Sequence, residues 1–146
     1  MAAEALLSKE RGAVRLTSVQ ARLCQCLWLL GQSRINHCWS LLGTTARLAV
    51  AIALHRKADA GQISTSSCID LECRRRTFWS LYSLDHYLST ALGRPRIFHD
   101  DDIDQELPSC CDDEDIHADC IKPTTGPRQS LMRAPVAYFM YSTANN

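Results

Sequence analysis

ECRRRTFWSLYSLDHYLSTALGRPRIFHDDDIDQELP, residues Glu72–Pro108, is the stretch whose reading decides the fold. Stepping from Leu71 at 100° per residue places Leu71, Phe78, Leu81, Tyr82, Leu84, Leu88, Ala91 and Leu92 on one broad arc. Glu72, Arg76, Ser80, Ser83 and Thr90 fall opposite, which predicts a long amphipathic helix with one buried face. Ser67 and Asp70 have the spacing of a capping box at its start, with Asp replacing the usual Glu or Gln. Gly93 and Pro95 supply the stop, because glycine accepts the left-handed position after a helix and proline blocks continuation.

Two charges interrupt the apolar arc. Arg74 and Asp85 both project toward it, three turns apart, so they cannot pair with each other. A buried carboxylate needs a cation or several N–H donors, or it becomes neutral. Arg47 is the only Lys or Arg between His37 and His55, on a segment apolar almost all round, and is the expected partner of Asp85. Arg94 and Arg96 are rivals that lie beyond the helix end. A structural tie between two helices is the simpler reading of such a pair, and a switch the more demanding one.

The surrounding chain reads as helix and loop. Residues 2–10 suit a short helix. Thr17 or Ser18 is expected to cap a second helix running to Leu30, with the stripe Val19, Leu23, Cys26 and Leu30 and with Gly31 as its stop. A third helix is expected from Ile35 to His55, followed by a polar loop over Lys57–Ser66. After Pro108, residues 109–128 read as loop or disorder, and Pro135 opens a short apolar helix containing Tyr138, Phe139 and Tyr141. No alternating β-branched run suggests a sheet. The fold class is therefore all-α, an irregular helical bundle and an incomplete domain with an acidic extended loop.

Leu54-His55-Arg56, Arg74-Arg75-Arg76, Phe78-Trp79, Tyr82, Asp85, Leu92-Gly93-Arg94-Pro95 and Asp101-Asp102-Ile103-Asp104 through Pro108 occur here in one order. With Trp39 and Arg47-Leu48-Ala49 upstream, this set resembles the fungal-specific transcription factor domain, the middle regulatory region of fungal zinc binuclear cluster factors. The resemblance covers residues 17–108, leaving 1–16 as an extension and 109–146 as acidic loop and terminal helix. It implies an all-helical, nuclear protein that regulates transcription through protein partners or intramolecular contacts. It also implies DNA binding and zinc for the full-length family, both supplied by an N-terminal six-cysteine cluster. Glycine commonly precedes the Leu-His-Arg triplet in the family. Ala53 stands there in this chain, a change that favours continuing the helix.

The eight cysteines, at 24, 26, 38, 68, 73, 110, 111 and 120, contain no C-x2-C pair, so the zinc cluster is not among these residues. Cys24 and Cys26 sit two apart on a helix and point to different faces, so no metal and no cofactor is expected in this chain. MAAEALLSKERG lacks an apolar signal core, so nothing points to secretion and reduced thiols are expected; the nuclear location is what the resemblance implies. No stretch is long enough to span a bilayer. Cysteine as a small buried hydrophobe is the favoured reading.

The chain carries no net charge, yet residues 1–57 hold eight Lys or Arg against two acids, and residues 99–120 hold ten acids and no Lys or Arg. A balanced chain lacks the basic footprint of an autonomous DNA binder. The acidic stretch is most simply a solvated loop, and less simply a segment docked on the basic half. Asp100, Asp102 and Asp104 imitate the start of a calcium loop. Gln105 at its sixth position and Cys111 at its twelfth end that reading. No nucleophile elbow, P-loop, dinucleotide fingerprint or zinc-protease motif is present, so an enzyme is a distant alternative. The nearer alternative is a fragment acting only as an interaction or interfering module. Neither effector nor target is legible.

Overall fold

A computed structural model describes residues 14–59, 61, 63, 66–109 and 116–117. The expected helices at 2–10 and from Pro135, part of the 57–66 loop, and Cys110, Cys111 and Cys120 lie outside them. Three α-helices form the body: α1 (Leu16–Gly31), α2 (Ile35–Ala51) and α3 (Cys68–Leu92), followed by a single 3-10 turn at Asp100–Asp102. The all-α expectation holds among the described residues.

Each helix contributes one stripe to a shared core. Val19, Leu23, Cys26 and Leu29 on α1 meet Cys38, Leu42, Ala46 and Ala49 on α2 and Phe78, Leu81, Leu84 and Leu88 on α3. Leu54 and Phe98 join this core from outside the helices. The Cys26 and Cys38 thiols are both buried, and Cys38 Sγ donates to the Cys26 carbonyl at 3.1 Å. Burial, with the neighbouring Cys38, pushes the Cys26 thiol up to about 12. Burial also raises Cys38. Both therefore behave as small hydrophobes.

The helix ends obey one rule that the sequence only partly announces. In each case the N–H of a residue just past the helix reaches back to a carbonyl five residues earlier: Arg34 to Leu29 at 2.9 Å, Leu54 to Ala49 at 3.0 Å, and Arg94 to Ser89 at 2.9 Å. This is the Schellman motif, and it needs a left-handed residue just before the reaching one. Those residues are Ser33 (φ 59°), Ala53 (φ 54°) and Gly93 (φ 62°). Only Gly93 is the glycine that signals such a stop. Gly31 does not terminate α1; it lies inside the helix, and Ser33 makes the turn. Ala53 does not continue α2 to His55 either. It ends the helix in the conformation that glycine adopts without strain, because closing the motif and burying Leu54 outweigh the cost of its Cβ.

The starts divide similarly. Ser67 and Asp70 form the expected capping box, with Asp70 N donating to Ser67 Oγ at 3.1 Å. α1 begins at Leu16 with Arg15 in the cap position and no side-chain cap, so neither Thr17 nor Ser18 plays that role. Ser18 is buried in the first turn. Ala91, placed on the apolar arc of α3, is exposed.

Candidate functional site: a basic turn, an arginine triplet and an acidic strap

After α3 the chain reverses at Gly93 and runs back along the helix it has just left. The contacts come in strict order. Asp85 accepts from Ile97 and Phe98, Tyr82 donates to Asp100, Trp79 donates to Glu106, and Glu72 accepts from Ser109. Residues 97–109 are thus a strap laid antiparallel over α3.

At its upper end the strap hangs on Asp85. This carboxylate is 1% exposed and accepts the N–H groups of Ile97 at 2.8 Å and Phe98 at 3.1 Å, with Ser89 Oγ at 3.4 Å. The expected pairing with Arg47 is wrong, since Arg47 is exposed on α2. Arg94 is not the partner either: it donates to Asn36 Oδ1 at 2.7 Å and lies 4.4 Å over the Trp39 ring. Arg96 turns to Asp100 at 3.8 Å and to His86. Charge compensation for Asp85 is supplied by oriented backbone donors, the second of the two routes open to a buried carboxylate. Pro95 fits this arrangement, as it has no N–H to satisfy and its carbonyl accepts from Ser89 at 3.4 Å.

The middle of the strap rests on aromatic rings. Phe78 is fully buried and meets Trp79 and Phe98 edge-on, at centroid distances of 5.3 and 5.4 Å. Trp79 in turn meets Tyr82 at 5.2 Å. Tyr82 donates to Asp100 at 2.6 Å, and burial together with that carboxylate pushes its hydroxyl up to about 12. Asp102 ends the 3-10 turn, exposed.

The lower end is where the acidic stretch and the basic segments meet. Asp104 accepts from the Lys57 N–H at 2.9 Å and pairs with Arg56 at 3.4 Å, while its own N–H donates to the His55 carbonyl at 3.2 Å. Gln105 is buried, and its Nε2 bridges the Leu54 and Arg56 carbonyls at 2.8 and 2.9 Å. Glu106 pairs with Lys57 at 2.6 Å and with Arg75, and its carbonyl accepts the Trp79 indole N–H at 2.8 Å. Lys57 and Arg75 hold the Glu106 carboxyl below the ordinary range, and the Lys57 N–H and Arg56 do the same for Asp104. For residues 104–106 the less simple reading, docking on basic residues, replaces the solvated loop; Asp101 and Asp102 are exposed, and residues 110–115 and 118–120 lie outside the described residues. The His55 imidazole Nδ1 is shielded from solvent and has no hydrogen-bond partner. His55 lies past the end of α2, so its backbone carbonyl, not its ring, is the part the strap uses.

The arginine triplet divides its labour. Arg74 Nη2 donates to the Ile52 and Ala53 carbonyls at 2.9 and 3.4 Å, placing a cation on the C-terminal end of α2. Arg75 joins Glu106 to Glu72, the latter at 3.6 Å, and Arg76 pairs with Glu72 at 2.9 Å. Glu72 belongs on neither side of a simple amphipathic wheel. The wheel sets it in solvent opposite the core, yet it is 1% exposed, because the strap gives α3 a second buried side and the Ser109 N–H closes over it at 2.9 Å. Pro108, half-buried, ends the docked segment. Sequence reasoning misses Glu72, Gln105, Glu106 and Ser109 as members of the site. Glu72 alone leaves a signal, in its i+3 and i+4 spacing to Arg75 and Arg76.

The arrangement binds and orients segments. No group of three or more His, Cys, Asp or Glu positioned to hold a metal occurs among the described residues, and none of their helices is long and apolar enough to cross a membrane.

Comparison with known proteins fits this picture. "Activator of stress genes 1" of Saccharomyces cerevisiae is 38% identical over 101 residues, 69% of this chain and 10% of that protein. "Activator of stress genes protein 1" of Candida albicans is 32% identical over 103 residues, 69% of this chain and 10% of its own length. An "ABC-transporter-regulating transcription factor" of Aspergillus oryzae is 35% identical over 94 residues, 64% of this chain and 10% of that protein. The chain spans about a tenth of the length of these curated relatives. No solved structure matches. The sequence model of the fungal specific transcription factor domain matches residues 1–145, and the chain belongs to that family.

Proposed function

We propose that this chain is regulatory sequence that takes part in control of transcription in the nucleus. It works through protein or intramolecular contacts and leaves DNA recognition, with its zinc, to a separate cluster module. The observation that carries this reading is the engagement of the basic residues around the strap. Arg56, Lys57, Arg75 and Arg76 are paired to Asp104, Glu106 and Glu72, and Arg74 is spent on the end of α2. A surface that reads phosphates must offer such cations unpaired. Family membership and relatives that are transcription regulators support the regulatory role. The strap is the natural control element, because it ties together the turn after α2, the arginine triplet and the far end of α3.

The experiment is to tether the chain to a heterologous DNA-binding module upstream of a reporter, alongside a Glu106→Lys variant that repels Lys57 and Arg75. Reporter output that depends on the tethered chain and changes with Glu106→Lys supports the reading. Sequence-selective, nanomolar binding of the isolated chain to duplex DNA at physiological salt would overturn it.

A further inference from the structure

Protein kinases select a hydroxyl by the charges that flank it, arginines before it or carboxylates after it. Thr77 follows Arg74, Arg75 and Arg76, and Ser67 has Asp70 three residues on. Ser109 is followed, from the third position onward, by Asp112, Asp113, Glu114 and Asp115. The structure separates these three hydroxyls. Thr77 lies mid-helix and is 5% exposed, its Oγ1 donating to the Cys73 carbonyl at 2.7 Å and accepting from Gln20 at 3.2 Å. The Ser67 hydroxyl and the Asp70 carboxylate that would mark it are bonded to each other at 2.9 Å, inside the capping box of α3. Ser109 is different. It lies outside any helix, half-buried, at the end of the strap and close to Leu107, which is 61% exposed.

We propose that Ser109 is a phosphorylation site for an acid-directed protein kinase, and that its phosphate releases the lower end of the strap. The γ-phosphoryl group of ATP passes to Ser109 Oγ: the Oγ–P bond forms as the bond to ADP breaks, and the hydroxyl proton leaves to the kinase base. The product carries about −1.5 to −2 charges at pH 7. That charge arrives on the residue whose N–H donates to Glu72 at 2.9 Å, next to a carboxylate 1% exposed. Glu72 already holds Arg75 and Arg76, and Arg75 also serves Glu106. The phosphate can gain either arginine only by taking it from Glu72, which strands a buried carboxylate. Left unpaired, it repels that carboxylate directly. Undocking residues 106–109 relieves both conflicts. The bonds to Asp85 lie at the other end and stay.

The test is to incubate the intact chain with magnesium-ATP and casein kinase II as the acid-directed kinase, map the phosphate by peptide mass, and follow the Trp79 indole N–H by NMR. Phosphate is expected on Ser109, at least about tenfold more slowly in Asp112→Asn, and not at all in Ser109→Ala. That last variant keeps the N–H that Glu72 accepts, so its strap stays docked. Phosphorylation should move the Trp79 indole resonance and speed its exchange at least about tenfold, with the Ile97 and Phe98 amides unchanged. In Glu72→Gln the side chain still accepts the Ser109 N–H but bears no charge, so the phosphorylated strap stays docked. A chain left unmodified while a serine–acid control peptide is phosphorylated would overturn the site, as would phosphate on Ser67 in place of Ser109. A rate indifferent to Asp112→Asn would overturn the acid-directed class. An indole resonance unmoved by phosphate, or release that persists in Glu72→Gln, would overturn the switch. The strap is the element given a control role above, and none of these readouts involves the reporter, so the two readings fail separately.

Discussion

At the Phe98 end of the strap a carboxylate 1% exposed accepts two backbone N–H bonds, whereas at the Glu106 end a carboxylate 39% exposed pairs with two cations. Both hold the same segment to the same helix. Asp85 sits where water does not compete, so losing it strands two N–H groups in an apolar setting. Glu106 sits where water and salt replace much of what is lost. The first end fixes the architecture, and the second is built to yield.

The sharpest way to break this contrast is at Asp85. Replacing it with Ala should lower the unfolding free energy by about 3 kcal/mol, from the desolvation of donors left unpaired. Chemical denaturation measures this, and a loss below about 1 kcal/mol would put the two ends on equal footing. The same series should show that Asp85 and Arg47 are uncoupled, with a double-mutant interaction energy within about 0.5 kcal/mol of zero. Glu72 comes next. It is buried like Asp85 but paired with arginines like Glu106, and Glu72→Ala should cost about 2 kcal/mol, chiefly through the Ser109 N–H and the lost packing.

Ala53→Gly should act in the opposite direction. Removing the Cβ from a residue at φ 54° relieves strain, offset in part by greater freedom of the unfolded chain, for a net gain of about 0.5 kcal/mol. A loss on thermal denaturation would mean that the Ala53 methyl contributes packing that outweighs the strain.

The smallest effect belongs to Glu106. Its carboxyl lies below the ordinary range, so its contribution is present above the unfolded-state value and fades as pH falls through the folded one. The Trp79 indole N–H resonance should therefore shift below about pH 4 and at high salt, with little change in global stability. A pH-independent indole resonance would show that the lower end is as fixed as the upper.

The helices were legible because they rest on signals within one turn: the Val19–Leu23–Cys26 stripe, the Ser67–Asp70 box and the Gly93 stop. What escaped was long-range. Nothing near Glu72 announces that Ser109 will cover it, and nothing near Asp85 says that its partners are backbone groups twelve and thirteen residues later. A backbone N–H has no letter in the sequence, so reasoning from side chains alone turns to Arg47. Ala53 escaped for a related reason: the tertiary gain that enforces its left-handed conformation lies in the burial of Leu54, not in its own identity.

The order of contacts along the strap also dictates how the chain assembles. From Gly93 outward, the bonds to Asp85, Tyr82, Trp79, Arg75 and Glu72 close loops of 12, 18, 27, 31 and 37 residues. Each step lengthens an already closed loop, which adds little entropic cost. Such a sequence closes like a zip from the turn, with the Asp85 bonds forming first and the Ser109 bond last. The Glu106 end, held by the longest loops, is then expected to be both the last part to dock and the first to open, without passing through the unfolding of α3.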